Sequence, residues 1–298
     1  MTGDDGDRTP RRFGRRALLR GCLAAGAAGA AVAVDGTLIT PCRLATSHHA
    51  FGAAATGRGG RPLRLVQVSD LHLHGIGTRE RQLLARIDEA RADLIVITGD
   101  TVDRPDALPI LAALLAELPS APRKLAILGN WEHRCGAAGS ALARTYERHG
   151  VELLVNRSVD VAHEGSTLLV TGLDDLMLGR PDPAVALAAA TRRDHHLVLA
   201  HCPAARDALG LPPEHAATLV LSGHTHGGQI APFGVAPWRP AGSGRYLAGW
   251  YRDDGGPPLY VSRGVGTSLM PVRIGAVPEM VRIDWSLEPS GPPDRTGA

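Results

Sequence analysis

The amino-acid sequence predicts an α/β fold, and two observations support this class. Short runs of β-branched residues and leucine alternate with longer amphipathic stretches from residue 62 onward, which favours a largely parallel sheet covered by helices. The segment "DLIVITGD" at residues 93–100 has a continuous apolar centre, as expected of a strand that is buried on both faces. The 298 residues, of which 44% are hydrophobic, are enough to bury a full core.

The first half of this body contains three pairs of a strand and a helix. The pattern predicts strands at residues 63–70, 93–100 and 124–130, and helices at residues 78–92, 107–118 and 140–148. In the first of these helices, Leu83, Leu84 and Ile87 share one face. The second half is richer in strands, which are predicted at residues 152–155, 167–172, 196–200, 218–222, 259–262 and 280–285, with one helix at 183–191.

Residues 1–34 have the layout of an export signal. A basic stretch at residues 11–20 leads into an apolar segment rich in Ala and Gly, and small residues would allow cleavage after Ala33. Arg15 and Arg16, followed by "ALLR", resemble a twin-arginine signal, which implies the twin-arginine export machinery as a partner. The alternative is an uncleaved N-terminal anchor. Both interpretations place the body outside the cytoplasmic membrane, in the periplasm or the cell wall.

The remaining boundaries follow from composition. Residues 35–61 show no apolar period and are predicted to be a flexible linker in which His48 and His49 are solvated. Residues 62–287 form the predicted catalytic domain, and the Pro- and Gly-rich residues 288–298 form a disordered tail.

Charge and cysteine content exclude some classes of function. Removal of residues 1–33 takes away six Arg and three Asp, which changes the formal charge of +2 to −1. A body this close to neutrality carries no basic surface for strong nucleic-acid binding. Four cysteines do not make a disulfide framework in a chain of this length. Cys135 and Cys202 lie beside candidate site residues, and both a disulfide between them and a pair of buried thiols are left open.

Each buried apolar run ends in polar residues that can bind a metal. In chain order these are Asp70 and His72; Asp100 and Asp103; Asn130 and His133; His201; and His224 and His226. In open α/β sheets, ligands bind outside the carboxyl ends of the strands. One such residue alone would be an ordinary core or surface residue, but five strand ends of this kind predict a metal site at one edge of the sheet.

The residue types indicate which metals the site holds. Carboxylates, imidazoles and one amide oxygen, without a cysteine cluster, favour divalent ions of borderline to hard character over a structural zinc. Without Asp103 and His133 the set has seven ligands, which exceed what one ion uses, so we expect two ions, with manganese preferred and iron, zinc or nickel as alternatives. Asp100 is the natural bridge between them. The glycines before Asp100, Asn130 and His224 allow the backbone to approach the ions closely.

These motifs carry a resemblance to a known family. The chain is similar to the calcineurin-like metallophosphoesterases over roughly residues 62–286, where their motifs occur in order as "DLH" (70–72), "GDTVD" (99–103), "GN" (129–130), "AHCP" (200–203) and "GHTH" (223–226). The segment "YVSRGVGTSLMPVRIGAVPEM" (260–280) resembles a bacterial subgroup of exported or membrane-associated phosphodiesterases, some with twin-arginine signals. The resemblance implies a single catalytic domain of two packed mixed β-sheets flanked by helices.

The same resemblance implies roles for individual residues. The first metal would be bound by Asp70, His72, Asp100 and His226, and the second by Asp100, Asn130, His201 and His224. Asp103 would orient a ligand. The family usually has His directly after the Asn, where it contacts the phosphate, but Trp131 stands here. His133, two residues later in "GNWEH", is therefore the candidate general acid.

The favoured function is metal-dependent hydrolysis of a phosphodiester by attack of a metal-bridged hydroxide. The choice of a diester rests on the subgroup resemblance, and small envelope phosphodiesters and lipid head groups are both candidate substrates. Association with a membrane surface is a further expectation. Two alternatives stay open. One is a metal-binding or sensing protein that has lost turnover, and the other is a metal-dependent nuclease, against which the near-neutral charge counts.

Other residues near the motifs have simpler interpretations. Asp174 and Asp175 are expected to be loop residues that favour solubility, and Arg263 and Arg273 to be ordinary surface charges. The aromatic residues that follow the last motif are expected to belong to core packing or a lid rather than to a membrane-dipping surface. They are Trp238, Tyr246, Trp250 and Tyr251.

Overall fold

The computed structural model describes residues 15–52, 60–252 and 255–287. Its helices are α1 (Arg15–Val34), α2 (Thr78–Ala90), α3 (Leu108–Ala116), α4 (Asn130–Arg134), α5 (Ser140–Arg148) and α6 (Pro183–Leu187). Its strands are β1 (Ala45–Gly52), β2 (Leu63–Val68), β3 (Leu94–Thr98), β4 (Arg123–Ile127), β5 (Val151–Leu153), β6 (Arg157–His163), β7 (Ser166–Gly172), β8 (His195–Leu199), β9 (Leu219–Ser222), β10 (Gly249–Tyr251), β11 (Leu259–Val261) and β12 (Glu279–Ser286).

The strands form two six-stranded sheets. The first sheet has the order β1-β12-β2-β3-β4-β5, and the second has the order β10-β11-β9-β8-β7-β6. Each sheet is mixed: β2 to β5 are parallel and β12 is antiparallel to β2, while β7, β8, β9 and β11 are parallel and β6 and β10 run antiparallel to their neighbours. The predicted fold class, two mixed sheets flanked by helices in a single domain, is confirmed.

One core lies between the two sheets, a second lies between the first sheet and its helices, and a smaller third one covers the other face of the second sheet. In β3, Leu94 and Val96 pack into the inter-sheet core, while Ile95 and Ile97 pack toward the helices. All four are buried, which explains why this strand is apolar without alternation. On α2, Leu83 and Ile87 are buried in the helix-side core, as their shared face predicts.

The predicted flexible linker is wrong over residues 45–52. These residues form β1, which pairs in parallel with β12 along its full length, from Ala45 opposite Glu279 to Gly52 opposite Ser286. The pattern missed this strand because backbone hydrogen bonds to β12 hold it and its side chains, apart from Phe51, are small or polar. His49 is not solvated, since its ring centroid lies 4.8 Å from that of Tyr260 and burial lowers the pKa of its imidazole.

The N-terminal helix is the one described segment with the character of a membrane span. α1 continues through turns of π-helix (Asp35–Ile39) and 3-10 helix (Thr40–Cys42), and Leu19–Cys42 is long and apolar enough to cross a membrane. A signal sequence has the same character. Residues 1–14 of the predicted signal, residues 53–59 of the predicted linker and the predicted tail at 288–298 lie outside the described residues.

Candidate metal centre

Five strand ends place the seven candidate ligands at one edge shared by both sheets. The loops that follow β2, β3 and β4 in the first sheet supply Asp70, His72, Asp100 and Asn130, and those that follow β8 and β9 in the second supply His201, His224 and His226. The site therefore lies where the carboxyl ends of parallel strands from the two sheets meet.

The ligand atoms fall into two groups. Asp70, His72 and His226 form one and Asp100, His201 and His224 the other, and within each group the ligand atoms lie within 4.8 Å of one another. All six residues are buried. Oδ2 of Asp100 is 3.1 Å from Nε2 of His201 and 3.7 Å from Nε2 of His72, so this carboxylate reaches both groups, as a bridging ligand requires.

In the second group, hydrogen-bond acceptors face one another. Nδ1 of His201 is 2.8 Å from the Thr98 carbonyl, and Nε2 of His224 is 2.6 Å from the Ala241 carbonyl, so these two nitrogens carry hydrogens. In the neutral rings the other two nitrogens therefore present lone pairs, and they lie only 3.2 Å apart. Both also approach Oδ1 of Asn130, at 2.9 Å from His224 and 3.2 Å from His201. A cation among these atoms satisfies all three acceptors, so the donor set fits a divalent metal.

The first group fits a second cation. Nε2 of His72 lies 3.2 Å from Nε2 of His226, and 3.5 Å separate the latter from Oδ1 of Asp70. The Asp70 carboxylate is held in place because it accepts the backbone N–H of His224, at 2.9 Å, and the hydroxyl of Ser69, at 2.5 Å. Nδ1 of His72 is buried and has no hydrogen-bond partner among the described residues.

Backbone strain is concentrated at these residues. Five candidate ligands have a positive φ although none is glycine: Asp70 (53°), His72 (42°), Asp100 (54°), His224 (73°) and His226 (52°). Such conformations cost about 1–3 kcal/mol each and persist at sites where the surrounding structure enforces them. The fold therefore holds these five side chains in orientations that an unconstrained chain would avoid.

Gly223 is required at the entrance to the last loop. A Cβ at this position would overlap the hydroxyl of Ser69 and the carboxylate of Asp70. The absence of a side chain therefore lets the second sheet approach the loop of the first sheet that carries Asp70.

Three of the four site histidines have a lowered pKa and therefore bind a proton only weakly. Burial lowers the pKa of His72 and His226 well below the ordinary value and that of His224 to about 4. Burial, together with the nearby carboxylates of Glu132 and Asp70, raises the pKa of Asp100 to about 7. Burial opposes the charged form of His201, but the carboxylate of Asp100 raises its pKa well above the ordinary value. Metal binding must therefore release a proton from this pair.

A cavity of about 640 Å³ opens above the two groups. Asp100, Asn130, His224 and His226 line its base. The remaining wall is mostly apolar and includes Trp131, Met177, Leu178, Ile230, Pro237, Trp238, Leu269 and Met270. The site can therefore hold a small charged group at its base and an apolar substituent against its wall.

Residues 63–228 match the family model described as calcineurin-like phosphoesterase. The chain belongs to the calcineurin-like phosphoesterase family. It is 33% identical over 282 residues to the uncharacterized metallophosphoesterase YkuE of Bacillus subtilis (strain 168), covering 91% of this chain and 96% of that protein. It is 29% identical over 229 residues to the phosphodiesterase YaeI of Escherichia coli (strain K12), covering 75% and 82% of the two chains.

Two further comparisons cover only part of the other protein. A transmembrane protein with metallophosphoesterase domain from Danio rerio is 30% identical over 235 residues, which are 74% of this chain and 52% of that protein. The crystal structure of the 5'-nucleotidase precursor from Thermus thermophilus gives a TM-score of 0.44 at 16% identity and covers 68% of this chain. This chain spans about half of that chain, with 49% of it covered.

Glu132 is a residue of the phosphoesterase centre that the sequence interpretation missed. Its buried carboxylate accepts backbone N–H groups from Asp100 at 3.0 Å, Thr101 at 2.6 Å and Gly129 at 2.9 Å. It thus joins the loop that carries Asp100 to the loop that carries Asn130. Glutamate at the third position of a helix, where it accepts the N–H of the N-cap residue Gly129, is the glutamate half of a capping box, and this partial signal was available in "GNWE".

Asp103 lies beside His74, which is not one of the seven candidate ligands. Its Oδ2 is 3.2 Å from Nε2 of His74, and its Oδ1 is buried without a hydrogen-bond partner among the described residues. The geometry therefore gives the task of orienting ligand loops to Glu132, and the predicted role of Asp103 is without support.

His133 does not line the cavity, whereas Trp131 and Arg134 do. Nε2 of His133 is 2.7 Å from Oδ1 of Asp174. Residues two apart on a helix point to different sides, so α4 directs Trp131 toward the cavity and His133 away from it. This placement argues against His133 as the general acid.

The structure corrects two other expectations, those for Arg273 and Asp175. Arg273 is not a surface charge: it is fully buried and donates to the carbonyls of Gly266 at 2.9 Å and Ala276 at 3.0 Å, while burial lowers its pKa to about 9. Asp175 is also buried, and it accepts the backbone N–H groups of Met177 and Leu178 and so shapes the cavity wall.

The two cysteines beside the motifs are free thiols. Cys202 is buried, with Sγ 3.2 Å from Oδ1 of Asp175, and Cys135 is half-buried. Of the two possibilities that the sequence left open, the structure has the thiols.

Proposed function

We propose that the protein is a phosphodiesterase with a dinuclear metal centre. Family membership and the two ligand groups support a metal-dependent phosphoester hydrolase. When bound, two divalent cations supply Lewis acidity to phosphoryl oxygens and acidify a water molecule. The observation that carries the proposal is the convergence of Nε2 of His201 and Nδ1 of His224 on the amide oxygen of Asn130, beside the carboxylate of Asp100. A divalent cation among these atoms would replace the proton that His201 and Asp100 share.

The residues of the chain divide the work. Asp70, His72 and His226 would hold one cation, Asn130, His201 and His224 would hold the other, and Asp100 is within reach of both groups. The Thr98 and Ala241 carbonyls fix the orientation of two of the imidazoles. Glu132 keeps the first-sheet loops in register, so that the ligands are arranged before any cation arrives.

The wall of the cavity favours a diester over a monoester. Trp131 occupies the position at which the family usually has a phosphate-contacting histidine, so the site has one hydrogen-bond donor fewer for a phosphate dianion. A diester carries one negative charge less and has a second organic substituent, for which the apolar wall provides space. The name of the relative YaeI, a phosphodiesterase, agrees with this choice.

Metal identity and location are part of the proposal. Imidazole and carboxylate ligands suit manganese, with iron, zinc or nickel as alternatives. The apolar N-terminal helix is compatible with a twin-arginine signal or an anchor, and we place the body outside the cytoplasmic membrane on that basis. An envelope phosphodiester is then the substrate class.

The test is hydrolysis of bis-p-nitrophenyl phosphate compared with p-nitrophenyl phosphate, with manganese added or chelated. We expect manganese-dependent cleavage that prefers the diester. The variant His201→Ala should lose activity about a hundredfold or more, because a missing ligand costs at least as much as a missing outer-shell partner. His163→Ala is the matched control, since His163 is also buried but lies at the end of β6 and contacts the Arg61 carbonyl.

Two other results would replace the proposal. Two bound metals without turnover of either ester would indicate a binding or sensing protein. Cleavage of DNA whose binding depends steeply on salt would indicate a nuclease.

A further inference from the structure

Large apolar side chains are exposed around the mouth of the cavity. We define the apolar rim as Phe233 (104% exposed), Leu269 (76%), Val235 (68%), Trp238 (64%) and Met270 (53%). They lie on two loops that Gln229 joins, because its Nε2 donates to the Ser268 carbonyl at 2.9 Å and its Oε1 accepts the Ser268 N–H at 2.8 Å. Contiguous exposed apolar groups mark contact surfaces for proteins, ligands or membranes.

The backbone holds two rim residues in a conformation that bulky side chains avoid. Phe233 has a φ of 56° and Leu269 a φ of 63°. Bulky residues rarely adopt a positive φ, and strain of this kind is a mark of functional positions. The two loops therefore keep these two apolar side chains exposed at an energetic cost.

The apolar rim is continuous with the cavity above the ligand groups. Trp238, Leu269 and Met270 belong to both the rim and the cavity wall. On the opposite side, Met177 (41% exposed) and Leu178 (49%) extend the apolar surface outward. A molecule that fills this space has a charged group at the base and apolar chains that leave through the rim.

The base of the N-terminal helix is attached beside the same rim. The carbonyl of Gly36, two residues after α1 ends, accepts the N–H of Arg273 at 2.8 Å. The next residue, Ile274, donates its N–H to the Gln229 carbonyl at 2.9 Å and forms a bridge with Ile230 of the cavity wall. The apolar span Leu19–Cys42 thus joins the body without an intervening coil, next to the loops that carry the rim.

The charges around the rim also suit a membrane. The rim segments at residues 229–242 and 264–276 contain no Asp or Glu. Arg239 is exposed next to Trp238, and Arg134 is exposed at the cavity wall with its guanidinium 5.1 Å from the centroid of the Trp131 ring. Aromatic and apolar groups flanked by arginine are typical of surfaces that enter the interface of anionic bilayers.

We propose that the apolar rim enters the bilayer that holds α1, and that the substrate is a lipid phosphodiester drawn from that bilayer. Its phosphate would reach the ligand groups while its acyl chains stay between the rim side chains and the membrane. The substrate class rests on the proposed function, whereas the membrane contact rests on the rim alone.

The first experiment measures membrane contact without turnover. The metal-free full chain is reconstituted in vesicles of phosphatidylcholine and phosphatidylglycerol whose acyl chains carry bromine, and tryptophan fluorescence is recorded. The chain has four tryptophans. We expect quenching that Trp238→Phe largely removes and that Trp250→Phe leaves in place, because Trp250 stacks on Phe51 within the fold. Quenching that does not depend on Trp238 would overturn the membrane contact.

The second experiment measures substrate class. With manganese present, kcat/KM for phosphatidylglycerol in vesicles is divided by kcat/KM for bis-p-nitrophenyl phosphate, using the full chain. Loss of one buried apolar contact corresponds to about a tenfold effect, so Phe233→Ser and Leu269→Ser should each lower this ratio about tenfold. Val185→Ser, at an exposed apolar position on α6 (60%), should leave it unchanged.

The outcomes separate the two proposals. A ratio that is unaffected by both rim substitutions would assign a soluble phosphodiester and overturn the lipid substrate. If neither ester is hydrolysed, the proposed function fails and the lipid substrate fails with it, while the quenching of Trp238 still decides whether the rim enters a membrane.

Discussion

Replacement of Glu132 by glutamine tests whether this carboxylate holds the ligand loops in place. Four hydrogen bonds of 3.0 Å or less end on it: Oε1 accepts from the N–H and the hydroxyl of Thr101, and Oε2 accepts from the N–H groups of Asp100 and Gly129. Glutamine keeps one oxygen and presents an NH₂ group to the other two donors. Two hydrogen bonds to a charged acceptor are lost, and at about 1.5–3 kcal/mol each the cost is about 3–6 kcal/mol.

Hydrogen exchange of the backbone amides measures this cost at the site. At about 1.4 kcal/mol per factor of ten, the lower bound corresponds to roughly a hundredfold faster exchange in peptides that contain Asp100, Thr101 and Gly129. Manganese affinity should also fall about ten- to a hundredfold, as for other groups that orient metal ligands. Glu164→Gln is the control, because the Glu164 side chain is 52% exposed and pairs with Arg61 at the surface. Exchange in Glu132→Gln that matches the wild type would refute the assigned role.

Three further predictions concern the same centre. Manganese affinity should weaken about tenfold per pH unit as the pH falls below 7. Burial raises the pKa of the Asp100 carboxyl to about 7, and this group must lose its proton to bind a cation. Calorimetric titration that gives equal affinity at pH 6 and pH 8 would contradict this. Gly223→Ala should lower manganese affinity at least about tenfold by displacing Asp70, whereas Gly139→Ala, where a Cβ meets nothing within 4 Å, should not. Arg273→Leu leaves buried carbonyls without donors and should lower the free energy of unfolding in urea by about 3–5 kcal/mol. Arg157→Leu is the control and should change it negligibly, because the Arg157 side chain is 60% exposed.

The parallel strands and their helices could be predicted because burial leaves a clear pattern in the sequence. The helix predicted at residues 140–148 matches α5, and the strand predicted at 93–100 contains β3. β1 could not be found in the same way, because its partners are the backbone atoms of β12 and its alternating burial involves only one large apolar side chain, Phe51, among small and polar ones. β10 is three residues long, too short for any period to appear.

The candidate ligands could be predicted because the carboxyl ends of parallel strands lie close together in space, whatever conformation the loops adopt. Residues that act on backbone groups are harder to find, since an N–H or a carbonyl leaves no trace in the sequence of its partner. Arg273, which donates to carbonyls, left no signal, whereas Glu132, which accepts N–H groups, left only the helix-start pattern in "GNWE". His133 illustrates a different limit: it contacts Asp174 and does not line the cavity, because nearness in sequence to Trp131 does not mean nearness in space on a helix.

The pairing of β1 with β12 has a consequence for the order of folding. Ala45 is among the first residues of the body to leave the ribosome, and its partner Glu279 is among the last. The backbone of β1 stays without its partner until nearly the entire domain has been synthesised, and contacts this distant in sequence form slowly. The segment that follows the N-terminal helix is therefore fixed only when the domain is complete. The helix takes its position beside the cavity only after the rest of the domain has folded.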